Sequence, residues 1–292
     1  LGWYLASSGL FVIPGGIGQV LLPWLLTVYH NESATRIGLA QMLAQVPVVF
    51  LILWGGWLGD RVDQRRLLVL LITTVSLPPL ILAATFHWGT ITYELIVAYS
   101  ILMGGFMAFI QPARDALLNR VAGEKIQEAV TVTIGLQWGI QILGFGIGSS
   151  ADLVGPIILC FIISLFMLGS AFTTKRIPVL PLRKTDISKS AIAQIREGLQ
   201  IAWQDVAIRT AIIQIFALAI FYSGAYLVLL PIMVRDLYGG GSLGLGGGFA
   251  ANLAGTVLST LLLMRYGRVR YPGRALTYGV MLSCCVLLGL TT

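Results

Sequence analysis

The residues of this 292-residue chain best suited to chemistry are pairs of hydrogen-bonding side chains set one helical turn apart inside long apolar runs. Gln41 and Gln45, Gln137 and Gln141, and Tyr222 and Tyr226 each stand four apart, with Trp138 beside the second pair. Residues at that spacing share a helix face. Polar side chains within apolar helices are costly and turn toward a cavity or another helix. With Gln19, Gln214 and Asn252, these residues suit a cavity of aromatic walls and amides without fixed charge. Such a cavity fits a bulky, amphipathic ligand that is uncharged or charge-delocalised. The same side chains could instead serve hydrogen bonds between helices alone.

Bond-making chemistry has no comparable support. There is no triad spacing, no H-E-x-x-H and no phosphate-loop lysine in the glycine-rich run 239–248, so that run is read as a flexible loop and close helix packing. Cys160, Cys284 and Cys285 lie in apolar stretches without metal or redox spacing, and no cofactor is expected. His30 and His87 fall in short loops, where a histidine can sense protons or simply sit at an interface. Glu94, near the start of an apolar run, is the candidate coupling carboxylate; it and Asp152, at a turn, are both expected near the outer interface and solvated. No enzyme activity is expected.

Composition says what must position these groups. Hydrophobic residues make up 57% of the chain and charged residues 11%, against roughly a quarter charged in an ordinary soluble domain. A mean hydropathy of +0.88 places the chain among multi-span membrane proteins. About 20 apolar residues cross a bilayer as a helix. On that measure the spans fall at about 3–27, 37–58, 67–86, 91–111, 129–150, 154–173, 208–234 and 245–264, with a ninth beginning near 276. Pro14, Gly15, Gly16 and Gly18 are expected to bend the first, and residues 114–128 to form a polar loop. Gly135, Gly139, Gly144 and Gly148 form two pairs four apart, each suited to close helix packing. Between 175 and 207 the chain turns basic. Pro178 and Pro181 break it, and Ile192, Ile195, Leu199 and Trp203 then line one face of an amphipathic surface helix. The division is therefore a six-helix bundle over 1–174, a linker over 175–207, and an incomplete second bundle over 208–292.

The net charge of +7 does not imply nucleic acid, because the basic residues sit in a few loops between apolar runs. Placing the loop after the second span inside puts 17 of the 19 lysines and arginines, Arg114 and Arg120 among them, on the inner side. Only Arg36 and Arg235 remain outside, a positive-inside bias that orients the chain with its linker in the cytoplasm. The chain has no initiator methionine and its first residue already lies in an apolar stretch, so it is expected to begin inside a larger gene product.

The loop that sets this orientation is a polar island, Gly55-Gly56-Trp57-Leu58-Gly59-Asp60-Arg61-Val62-Asp63-Gln64-Arg65-Arg66. Five of its last seven residues are charged, so it is read as a tight turn between two spans. Its glycines let helix backbones approach, Asp60 can cap or pair, and the arginines can meet helix carbonyls.

The island resembles the loop 2–3 signature of the major facilitator superfamily, near G-x-L-a-D-r-x-g-r-[RK]-[RK]. Gly56, Leu58, Asp60, Arg61, Arg65 and Arg66 match, and Asp63 stands where the commonest form has glycine. The Asp-Arg-x-Asp-x-Arg-Arg version and the exit Gln111-Pro112-Ala113-Arg114-Asp115 resemble the branch of enterobactin-type siderophore and macrolide exporters. The stretch Tyr226-Leu227-Val228-Leu229-Leu230-Pro231 is similar too, and Arg265-Tyr266-Gly267-Arg268-Val269-Arg270 is a degraded basic echo of the island. The chain departs from the family at two places. Gly144-Phe145-Gly146-Ile147-Gly148-Ser149 lacks the proline and last glycine of the antiporter signature, and Tyr99, Ser100 and Ile101 stand where the fourth span carries its arginine.

The resemblance implies an all-α polytopic membrane protein with two six-helix halves, three spans of the second being absent here. It implies export of a small amphipathic drug or siderophore by alternating access, coupled to an ion gradient with the proton as the ion. The protein would work as a monomer in the lipid bilayer of a bacterial inner membrane. Gly56, Asp60, Arg61, Arg65 and Arg66 would gate the inner side. Gln137, Gln141, Tyr222 and Tyr226, then Gln41 and Gln45, would line the cavity. Three alternatives stay open: import or lysolipid translocation on the same fold, a non-transporting receptor or assembly protein, and a membrane enzyme.

Overall fold

A computed structural model describes residues 1–178, 200, 202–220, 224–266, 278, 279 and 281. Every described element is helical. The first is α1 (Gly2–Trp24), extended by a π-helical turn over Leu25–Tyr29. Then come α2 (Ala34–Arg61), α3 (Gln64–Val75), α4 (Leu77–His87) and α5 (Tyr93–Ala122). A 3₁₀ turn at Gly123–Lys125 leads to α6 (Ile126–Gly148), short α7 (Ala151–Val154) and α8 (Pro156–Lys175). After the linker come α9 (Val206–Leu218), α10 (Gly224–Asp236) and α11 (Ser242–Tyr266). The linker between 179 and 199, with most of its expected surface helix, and most of the ninth span lie outside the described residues.

Among the described residues, five helical stretches are long and apolar enough to cross a membrane: Gly2–Tyr29, Ala34–Gly59, Gln64–His87, Tyr93–Gly148 and Pro156–Lys175. The fourth runs for 56 residues, far more than the about 20 that one crossing needs. Gly123 divides it into α5 and α6 at φ +54, a backbone conformation that favours glycine. The first six spans expected from sequence therefore each have a helix.

Two boundaries are corrected. The third span is two helices, broken at Ser76, because Pro78 and Pro79 carry no N–H and can only enter a new first turn. The fourth helix does not stop at 111. It continues to Ala122, and the segment expected as a polar loop from 114 is helical through most of its length. Pro112 is carried inside it.

The chain divides into two compact units. The first holds residues 1–185 and 231–254, and the second residues 186–230 and 255–292. In the first unit α1 lies between α6 and α8, while α2 runs along α5. Glycine makes both contacts close. A Cβ on Gly16 would stand 2.9 Å from the Cα of Gly144, and one on Gly148 would stand 2.9 Å from the Cβ of Val20. Gly55 meets the carbonyl of Ala108, and Gly104 that of Ala44, with no room for any side chain. Backbone contact of this kind brings van der Waals packing that bulkier residues would prevent. The described part of the second unit is α9 with the first turns of α10 and the last turns of α11.

Hydroxyls tie α1 and α8 together where neither meets water. Ser7 Oγ lies 2.6 Å from Thr174 Oγ1, and Ser170 Oγ donates to Ser7 O at 2.9 Å. Buried polar groups persist only when bonded in this way. At the other end Arg36 ties α2 to α5. It pairs with Glu32 at 3.0 Å, reaches Glu94 at 3.4 Å and lies over the Tyr93 ring at 3.9 Å.

Candidate functional site

The island is a helix end rather than a loop. α2 continues through Gly55, Gly56 and Gly59 to Arg61, and only Val62 and Asp63 separate it from α3. Asp63 is the cap: its carboxylate accepts from Arg65 N at 3.0 Å and Arg66 N at 3.4 Å. Its ion pair with Arg66, at 3.6 Å and largely exposed, adds little. Asp63→Ala should therefore cost about 0.5–2 kcal/mol, read as a lower thermal midpoint of the purified protein, while Asp63→Asn keeps most of the cap.

Gln64 closes the turn. It is 4% exposed, its amide donates to Gly59 O at 2.5 Å, and its carbonyl accepts from Arg120 of α5. Arg65 donates to the carbonyl of Lys175 at the end of α8, and Arg61 lies over the Trp57 ring at 4.3 Å. The turn thus joins the ends of α2, α3, α5 and α8. Asp60 occupies the last turn of α2, and its side chain lies outside the described part. Gly56 stands where an added Cβ would meet nothing, so the close approach to α5 belongs to Gly55.

The cavity candidates stand on separate helices. Gln41 and Gln45 are on α2, and Gln137 and Gln141 on α6; three are half-buried and Gln45 is exposed. None of the four amides has a hydrogen-bond partner among the described residues, so their capacity is free for a ligand or water. Tyr226 is half-buried on α10, and Tyr222 lies outside the described residues. Gln19 is exposed on α1 and Asn252 on α11, while Gln214 is half-buried on α9. Gly144 and Gly148 pack against α1, whereas Gly135 and Gly139 face open space. The five-residue step from 139 to 144 turns the helix by roughly 140° beyond a full turn, which puts the two pairs on different faces.

Carboxylates gather at the end opposite the island. Glu94 is exposed beside Arg36. Asp152 does more than sit in solvent. One of its oxygens accepts from Trp24 Nε1 at 2.7 Å and the other from Ser242 N at 2.6 Å; Ser242 Oγ lies 2.8 Å from that second oxygen and 2.6 Å from Ser149 O, with one proton for either. Asp152 N in turn donates to Ser242 Oγ at 3.1 Å. The glycine-rich run supplies the surface it meets: Gly241 lies against the Asp152 carboxylate and Gly246 against Ser149. Phe145 and Phe249 stack behind at 5.8 Å. Nearby, Arg235 donates to Glu32 O at 2.8 Å and to Thr27 O at 3.4 Å, and its bond to Asp236 holds that carboxyl below the usual carboxylate range. The α6–α8 turn and the end of α1 are therefore fastened to α10 and α11 inside the first unit. His30 lies edge-on to Tyr29 at 5.2 Å in the same region.

Arg114 was expected among the solvated bases of an inner loop. The structure corrects this: it is 3% exposed on α5, turned toward α1. The spacing Ile110, Ala113, Arg114, Leu117, Leu118 was the available signal, since i, i+3, i+4, i+7, i+8 marks one buried face.

The comparisons with known proteins agree with this architecture. The model of the Major Facilitator Superfamily matches residues 5–292. A relative, the staphyloferrin A transporter of Staphylococcus aureus, is 26% identical over 288 residues, covering 94% of this chain and 69% of that protein. An all-α chain with this many membrane-length helices and a family match over nearly its whole length belongs to the major facilitator superfamily and is a multi-pass integral membrane protein of that transporter family.

Proposed function

We propose that the protein is a secondary active transporter that exports a small amphipathic molecule, a drug or a siderophore, by alternating access. A gradient drives it by favouring one state, with the proton as the coupling ion. The protein works as a monomer in a bacterial inner membrane with its linker in the cytoplasm. Residues 1–174 form one bundle, 175–207 the linker, and 208–292 part of the other bundle.

The observation that carries this reading is the polar tie between the first helices and α10 and α11 at the end opposite the island. At the island end Gln64 and Arg65 hold α2, α3, α5 and α8 of the first bundle together, with Asp63 capping α3. At the opposite end Asp152 and Arg235 fasten the first helices to α10 and α11. A protein that opens first to one side and then to the other needs breakable polar contacts between its two bundles, as at this end, and a midplane site between the openings. The unpartnered amides of Gln41, Gln45, Gln137 and Gln141 suit that midplane, and the similarity to a siderophore-named transporter supports the substrate class.

The test is uptake of dyes, macrolides and catecholate siderophores by the full-length protein in inverted vesicles, with and without a proton gradient. Gradient-dependent uptake should fall at least tenfold in Asp60→Asn. In Gln141→Ala the half-saturating concentration should rise. Transport of no compound by folded protein would move the reading to a lysolipid translocator or a non-transporting receptor.

A further inference from the structure

We propose that Arg114 is an anion-binding residue, which takes a carboxylate or phosphate oxygen of the transported solute at the island end of the bundle. The inference rests on the transport reading above and narrows its substrate to amphipathic molecules that carry an acid.

Arg114 is the one charged residue buried among the described residues. A guanidinium stays protonated in proteins and offers five N–H donors. Here Nη2 donates to Ser8 Oγ at 2.5 Å, the group lies 4.4 Å from the Phe11 ring centre, and Nη1 has no partner. Tyr4 donates to the backbone carbonyl of Arg114 at 3.3 Å, and its hydroxyl also interacts with the guanidinium. The adjacent Asp115 is exposed and accepts from Gln111 at 3.4 Å; its charge acts on the guanidinium, but among the described residues the two form no direct ion pair.

A buried charge without a direct ion pair costs several kcal/mol, and two hydroxyls, one ring and an unpaired neighbouring carboxylate return only part of it while Nη1 stays unbonded. Membrane-buried bases of this kind mark solute pathways. The fork of an arginine matches carboxylate and phosphate oxygens in a bidentate geometry. Ala113 lies against Gly59, so the guanidinium sits level with the island turn. A second buried donor without a partner, Thr133 Oγ1, stands on α6, which also packs on α1. The wall facing Arg114 is α1, held there by neutral hydroxyls. Movement of α1 away from α5 would uncover a charged, already desolvated site.

The experiment is thermal unfolding of the full-length protein in detergent, titrated with citrate, inorganic phosphate, 2,3-dihydroxybenzoate and the methyl ester of that acid. The acids should raise the midpoint saturably and the ester should not. Arg114→Gln should lose the effect. Arg114→Lys, which keeps the charge and loses the fork, should raise the half-saturating concentration about tenfold and serves where the glutamine variant does not fold. Phosphate acting alone would assign the site to phosphate rather than carboxylate groups. No rise with any anion, or an equal rise in Arg114→Gln and Arg114→Lys, overturns the proposal. Dye uptake in vesicles separates the two readings. Uptake without an anion effect retires only the anion site, and an anion effect without uptake retires only transport.

Discussion

Gly55→Val or Gly104→Val should prevent the protein from assembling in a stable form. In each case the added Cβ would lie well inside van der Waals contact of a backbone carbonyl oxygen, that of Ala108 or of Ala44. A flexible side chain could swing aside, but a carbonyl held in a helix ladder cannot. The α2–α5 pair would have to separate along its length, and overpacking of a rigid contact costs on the order of 3 kcal/mol or more. The measurement is the yield of monodisperse protein in mild detergent together with its unfolding midpoint. Both should collapse for the two valine variants. Gly56→Ala, one residue away, meets nothing within 4 Å. It should match the parent or exceed it by up to about 1 kcal/mol, as alanine for glycine inside a helix does. A Gly55→Val protein that matches the parent would show that the two helices do not pack through these glycines.

That contrast shows where reading the chain alone stops. The existence of the membrane helices was legible, because 20-residue apolar runs admit few other structures. Which glycine of Gly55 and Gly56 touches a neighbour depends on where α2 crosses α5, and no local pattern encodes a crossing point. The break at Ser76 was written in Pro78 and Pro79, but the continuing apolar run masked it. In α5 the charges from Arg114 to Arg120 suggested a loop, while the helix ends only at Gly123, where the backbone turns to positive φ. Arg114 sat on an apolar periodicity that its own charge disguised. Asp63 was noted as a departure from glycine, and the departure has a use, since glycine has no side chain with which to cap α3. Asp152 and Ser242 are 90 residues apart, so nothing local could pair them.

That distant pair carries the second large effect. Asp152→Ala should free the start of α11 from the α6–α8 turn. The carboxylate accepts from Trp24 Nε1 and Ser242 N, and it competes with Ser149 O for the single hydroxyl proton of Ser242. Hydrogen bonds to a charged group contribute about 1.5–3 kcal/mol each, less where water can compete, as it can around this exposed residue. Removing them together should shift the local opening equilibrium by about 1.4 kcal/mol or more, a factor of ten. The readout is a single cysteine placed at Leu245, a fully buried position on α11 beside the knot. With the native cysteines replaced by serine, an impermeant maleimide is added on the side opposite the island. The parent should label slowly, and Asp152→Ala at least tenfold faster. Asp152→Asn should fall between, because its single amide oxygen can replace one carboxylate oxygen but not both, leaving either Trp24 or Ser242 unbonded. Ser242→Ala removes the hydroxyl and keeps the backbone N–H bond, so it should label more slowly than Asp152→Ala. If all four label alike, the knot does not hold α11, and the tie at this end must come from Arg235 on the carbonyls of Thr27 and Glu32, which Arg235→Ala would then expose by the same assay.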